Sequence, residues 1–238
     1  MPRQLSLHLA VPPSYGRADF LPAAANEAAL AWIDRWPDWP GPAAALAGPA
    51  GSGKTHLLHL WAERAQALIL QGAALDQPLF SAIVDSLGGS RCVAVDDAQT
   101  IAGRPDGERQ LFHLYNWIYE RRGSLLLAAR EAPARWQIRL PDLASRLRTA
   151  TLVTIGAPDD SLLSAVLVKL FHDRQITVGQ DVIRYLVAHM ERSLSAACVV
   201  VDWLDREALA DRRAVSVRLA SSVLAAIMET RSTAEDES

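Results

Sequence analysis

Apolar residues along this chain follow two different patterns, and the change comes at Pro158. Before it, short apolar runs at Ala43–Ala47, Ala67–Leu70, Arg91–Val95, Leu125–Ala128 and Leu152–Ile155 alternate with stretches of helical spacing. Five short strands separated by helices predict a parallel sheet with crossover helices. After Pro158 the runs stop. Leu162, Leu163, Val166, Leu167, Leu170 and Phe171 recur at helical spacing, as do Val182, Ile183, Leu186, Val187 and Met190. Leu194, Cys198, Val201 and Leu204 continue the pattern, and Val215–Met228 supplies a last helix. These stripes read as the packed core of a small all-helical unit.

The flanks are read from breakers. Pro2, Pro12, Pro13 and Pro22 make residues 1–22 extended, and Asn26–Trp36 is a helix stopped by Pro37, Pro40, Gly41 and Pro42. The expected organisation is an extended segment over 1–22, an α/β body over 23–156, a helical unit over 157–229 and a disordered polar tail over 230–238. There are no internal repeats.

Composition adds limits. Of 238 residues half are hydrophobic and 21% charged, an ordinary balance for a globular protein, and the net charge of −3 provides no global basic field for nucleic acid. Cys92 and Cys198 both lie in apolar runs and read as reduced, buried thiols. Residues 1–10 lack a signal-peptide stretch, and no run approaches the ~20 apolar residues of a membrane helix, so a cytoplasmic protein is expected.

The chemistry begins at Gly48-Pro49-Ala50-Gly51-Ser52-Gly53-Lys54-Thr55, a full match to the phosphate-binding P-loop. Its glycines let successive backbone N–H groups turn toward an anion. Lys54 places a positive charge near the β- and γ-phosphates, the Thr55 hydroxyl can ligate Mg²⁺, and the helix that follows aims its positive end at the phosphates. The expected cofactors are therefore ADP or ATP with Mg²⁺, and His56 adjoins the loop. About forty residues on, Cys92–Asp97 is an apolar strand ending in acids; Asp96 orients the hydrated Mg²⁺. Asp97 stands where many such ATPases carry a glutamate that polarises water, one methylene shorter, or else it caps the following turn. His56 and His59 without an acidic or thiol partner do not make a metal site.

The P-loop, the Asp96-Asp97 strand, the segment Leu140-Pro141-Asp142-Leu143-Ala144-Ser145-Arg146-Leu147 and the helical tail together resemble the AAA+ domain of the DnaA family, and more closely its truncated Hda branch. The resemblance runs from Gln4 to about Met228. It implies a P-loop AAA+ core with a five-stranded parallel sheet and a helical C-terminal lid, and a nucleotide flanked at its adenine by Phe20, Leu21 and Asn26. It implies that Arg146 is an arginine finger acting on ATP held by a partner. DnaA-like chains continue into a helix-turn-helix DNA-binding domain, and none is expected here. Gln4-Leu5-Ser6-Leu7-His8-Leu9 resembles the peptide that docks on the bacterial sliding clamp, with Leu5, Leu7 and Leu9 as apolar contacts and Gln4 as the polar one.

Three residues depart from the family pattern. Ala128 stands where a strand should end in a polar sensor, Ser195 where the lid should carry a sensor arginine, and Asp97 replaces the glutamate. Each removes a contact to the γ-phosphate or its attacking water, whereas the contacts to the other phosphates remain. The expectation is a weak ATPase that stimulates hydrolysis by DnaA in company with the clamp, touching DNA only indirectly and no membrane, with a homo-oligomer left open. The alternatives are an autonomous AAA+ ATPase such as a helicase loader, and a DnaA-recruiting module without effect on hydrolysis.

Overall fold

The structure is a computed structural model and describes residues 15–236, apart from 77–81, 84, 86, 88 and 212. The clamp-like residues Gln4, Leu5, Leu7 and Leu9 lie outside the described residues.

Five parallel strands form one sheet in the order β2-β3-β4-β1-β5. They are β1 (Ala43–Ala47), β2 (Leu68–Gln71), β3 (Cys92–Asp96), β4 (Ser124–Ala129) and β5 (Thr151–Thr154). All five apolar runs of the sequence are strands, with ends shifted by at most one residue. The crossovers are α2 (Lys54–Ala65), α3 (Pro105–Glu120) and α4 (Pro141–Thr149), and α1 (Glu27–Asp34) precedes β1. The central strands are buried on both faces, as parallel sheets with helices on each side require. Along β4 the pleat divides the side chains: Leu126 and Ala128 face α1 and α2 with Leu57, Leu58 and Trp61, while Leu125, Leu127 and Ala129 face α3 and α4 with Leu111, Leu114 and Leu147.

A third core belongs to the C-terminal helices α5 (Asp160–Asp173), α6 (Gln180–His189), α7 (Leu194–Asp211) and α8 (Val217–Asp236), built on Leu167, Phe171, Leu186, Val201 and Leu204. Asp159 caps α5, its carboxylate accepting from the Leu162 N–H at 2.7 Å.

Three expectations change. The last helix runs to Asp236 rather than giving way at Thr230, because Glu229–Asp236 holds no glycine or proline and helix propagation adds a bond per residue. The stretch 15–22 is not wholly extended: Arg17–Asp19 is a 3₁₀ turn closed by Asp19 N–H to Gly16 O at 3.0 Å. Cys198 is exposed, not buried. Ala197, Val200, Val201 and Leu204 turn α7 inward, which leaves position 198 facing out, whereas Cys92 is buried in β3.

Candidate nucleotide-binding site

The loop between β1 and α2 is shaped by its glycines. Gly51 and Gly53 take φ of 65° and 95°, in the left-handed region that a Cβ disfavours. Gly53 is the residue before α2, so the loop delivers the free N–H groups of a helix start to its own concave side. Lys54 is the first helical residue, and its ammonium donates to Gly48 O at 2.9 Å and Pro49 O at 2.7 Å. Burial pushes its pKa below the usual lysine value; Asp96 and Asp97 oppose that shift and Arg130 adds to it.

Position Thr55 one residue later and the end of β3 come together. The Thr55 hydroxyl donates to Asp96 Oδ2 at 2.7 Å, and Asp96 is 6% exposed. A hydroxyl and a carboxylate meeting beside the loop are an oxygen pair suited to a hard cation such as Mg²⁺. Ser52 supplies a further sign of a ligand: its hydroxyl is buried and has no hydrogen-bond partner. A buried polar atom without a partner is unfavourable, and an anion seated in the loop would satisfy it. Among the described residues no group of three or more His, Cys, Asp or Glu could hold a metal.

Asp97 itself has φ of 46°, is exposed, and turns its carboxylate to the Gln99 amide, whose Nε2 donates to Oδ1 at 3.2 Å. Its backbone carbonyl accepts from the Thr100 hydroxyl at 2.8 Å. Asp97 therefore closes the turn after β3 and, through Gln99, touches the next loop: Gln99 Oε1 accepts from the Arg130 N–H at 3.2 Å.

The residues expected near the base are placed beside the loop. Phe20 is 7% exposed and stands edge-on to His56, with ring centroids 5.2 Å apart. Asn26 is buried, and its side chain ties the preceding turn: the Ala23 N–H donates to Oδ1 at 2.8 Å and Nδ2 donates to Leu21 O at 3.1 Å. It positions Leu21. His56 Nε2 lies 3.1 Å from Gly16 O, while Tyr15 stacks on His59 with centroids 4.0 Å apart. Pro49 and Ala50 are exposed at the loop's tip.

The helical unit closes directly over this loop. The Leu194 N–H donates to Gly51 O at 2.8 Å, and Ser193 and Ser195 bond each other at 2.8 Å beside it. A methyl group on Gly51 would run into the Ser193 hydroxyl. Lys169 of α5 bridges Asp173 at 2.6 Å and Asp19 at 2.7 Å, a second tie between the helical unit and the body.

Comparison with known proteins places this geometry. Over 184 residues, 74% of this chain and 79% of the other, the sequence is 29% identical to an uncharacterized protein of Haemophilus influenzae. The fold matches domain III of the Thermotoga maritima replication initiation protein DnaA with a TM-score of 0.75, at 17% identity, covering 89% of this chain and 96% of that one. It matches AMPPCP-bound DnaA from Aquifex aeolicus with a TM-score of 0.65, at 19% identity, covering 84% and 68%. At such identities the likeness is one of fold. Residues 160–224, the helices that close over the P-loop, match the Hda lid domain. The helical unit thus matches the lid of Hda, and the chain has the fold of the DnaA AAA+ domain.

The residues expected to depart from the family pattern, Asp97, Ala128 and Ser195, are all among the described ones. β4 ends one residue later than the sequence pattern suggests, at Ala129; both Ala128 and Ala129 are buried and neither carries a polar group. Ser195 bonds Ser193 rather than reaching across the lid, and Arg192 is an exposed residue paired with Asp160 at 2.9 Å. Arg146 lies on α4, half-buried, its guanidinium carbon 5.2 Å from the Tyr115 ring and 5.9 Å from those of Phe112 and Tyr119, all on α3. Among the described residues no hydrogen bond, ion pair or ring contact joins it to its own P-loop. Sequence reading missed this aromatic seat, the Ser193–Leu194 contact on Gly51, and Glu108, a carboxylate only 1% exposed. The last had a signal: Glu108 falls on the inward stripe of α3 with Leu111, Tyr115 and Ile118, where a charge is out of pattern.

Proposed function

We propose that this protein is a nucleotide-held regulator of replication initiation that offers Arg146 to ATP bound by a DnaA-type partner. The observation that carries the reading is an asymmetry within one site. Groups suited to cradling the phosphates and their cation are in place: a left-handed glycine loop, Lys54, the Thr55–Asp96 pair and the unpartnered Ser52 hydroxyl. The sensor positions that should add contacts to the γ-phosphate and its attacking water hold Ala128, Ala129 and Ser195, none with a cationic or amide group. Binding without turnover follows, since hydrolysis requires groups that stabilise the charge developing on the γ-phosphoryl.

The AMPPCP bound by the related DnaA fold supports a nucleotide in the same cradle. A Mg²⁺ ion, when bound with it, would neutralise phosphate charge. Lys54 would exchange two loop carbonyls for phosphate oxygens, Thr55 and Asp96 would face the cation, and the lid's Leu194 would hold Gly51 against the body. The bound nucleotide then acts as a clasp between lid and sheet. Arg146, on the opposite side of the sheet from α2, is free of any ion pair among the described residues and would be offered to a partner's nucleotide. The segment Gln4–Leu9 would tether the protein to the sliding clamp.

The test is a single-turnover assay of ATP loss from purified DnaA with clamp-loaded DNA. The wild-type protein should accelerate it, and Arg146→Ala should reduce the acceleration on the order of 10³-fold, the scale of arginine fingers. Full stimulation by Arg146→Ala would refute the finger. Rapid ATP turnover by this protein alone would instead establish an autonomous ATPase.

A further inference from the structure

Next to the P-loop lies a second built site. Gln99, Arg130, Arg135, Trp136, Gln137 and Arg139 line an open cleft of about 590 Å³, within the size range of small-molecule sites. Its three arginines are exposed, and none has an ion-pair partner among the described residues. Glu131 is the one acid among the lining residues, so the cleft carries a net +2 in a chain whose total is −3.

The walls are pinned. Glu108 Oε1 accepts from the Gly103 N–H at 2.9 Å, and Oε2 accepts from the N–H groups of Arg139 at 2.9 Å and Leu140 at 2.8 Å. A buried carboxylate is costly and is stable here only because these N–H groups share its charge. Its effect is to hold the Gly103 wall at a set distance from the Arg139 wall. On the other side the Trp136 indole donates to Glu131 O at 3.0 Å, and Gln99 holds the Arg130 backbone.

We propose that this cleft binds a small phosphate-bearing anion and reports its presence to the nucleotide site through Gln99. Guanidinium forks suit phosphate oxygens in bidentate pairs, and the Gln99 and Gln137 amides add donors. The same Gln99 whose carbonyl oxygen holds the Arg130 N–H gives its amide to Asp97, the residue beside Asp96. An anion that draws Arg130 inward therefore pulls on the turn that shapes the Mg²⁺-facing end of β3. A small anion fits better than a nucleic-acid strand. The Trp136 ring is 9% exposed and leaves no open face for base stacking, and the overall charge repels a long polyanion.

The experiment uses the full protein saturated with a fluorescent ADP and titrated with inorganic triphosphate. The expected result is a second binding event while the fluorescent ADP stays bound, together with a changed ADP dissociation rate. Arg135→Gln/Arg139→Gln should weaken triphosphate roughly tenfold or more with ADP affinity intact, which also shows that the variant is folded. Gln99→Ala, at triphosphate concentrations that saturate it, should lose the effect of the bound anion on ADP release. Binding only by displacement of ADP, or unaltered binding to the double arginine variant, overturns the site. An ADP release rate indifferent to triphosphate overturns the coupling, and tighter competition by single-stranded DNA or an acidic peptide overturns the small-anion class. The coupling rests on nucleotide binding by the P-loop and not on Arg146. Triphosphate titration of Lys54→Ala protein tests the cleft even if the loop took no nucleotide.

Discussion

His56 shows how a single residue beside the loop links fold to conditions. Burial pushes its imidazole below the usual 6.5, the bond to Gly16 O and the Asp19 charge oppose that shift, and His59 and Lys169 add to it. The folded protein therefore prefers the neutral ring with its proton on Nε2, donating to Gly16 O. Between its folded pKa and 6.5 the unfolded chain binds more protons, so stability rises with pH there and is lost as pH falls below about 6.5. Melting temperatures between pH 7.5 and 5.5 should show that decline, and His56→Gln should flatten it; an unchanged slope in the variant would remove His56 as the cause. At this scale the sequence was readable only in part. The eight P-loop residues are contiguous and their chemistry is local, so they could be read directly. The partners of Asn26, Asp97 and Glu108 could not, because a side chain's hydrogen bonds depend on which backbone passes beside it.

Arg146 and its aromatic seat belong to the scale of elements, since neither α3 nor α4 alone makes the contact. Phe112, Tyr115 and Tyr119 repeat at spacings of three and four and form one stripe on α3, against which α4 lays its arginine. The seat restrains a long, flexible side chain and shields no charge with a carboxylate, which keeps the guanidinium available to a phosphate. Each exposed cation–π contact contributes about 0.5–1 kcal/mol, so Tyr119→Leu should lower stimulation of the partner by about 2–5-fold while Tyr119→Phe keeps it. Equal activity of the two variants would show that the ring does not position Arg146. The strands were legible at this scale from their apolar runs. The extension of β4 to Ala129 was not, because pairing with β1, where Ala47 faces Ala129, sets where the ladder stops.

Across the whole molecule, the lid and the sheet meet at one loop. Leu194 on Gly51 and Lys169 on Asp19 hold the two together, so a nucleotide in the loop would stabilise both units at once. ADP at a hundredfold over its dissociation constant should add about 2.7 kcal/mol to the unfolding free energy, read as a rise in melting temperature, and Lys54→Ala should abolish it. A wild-type protein with no thermal response to ADP would exclude the clasp. By itself the sequence determined the α/β class, the helical unit and the phosphate loop, because periodicity and a contiguous glycine-rich turn are local properties of the chain. Only the tertiary structure decided that Ser193 and Leu194 of the lid sit against Gly51, that Arg146 rests on rings from another helix, and that a buried glutamate frames a cleft of arginines. Those are contacts between residues tens of positions apart, which packing alone brings together.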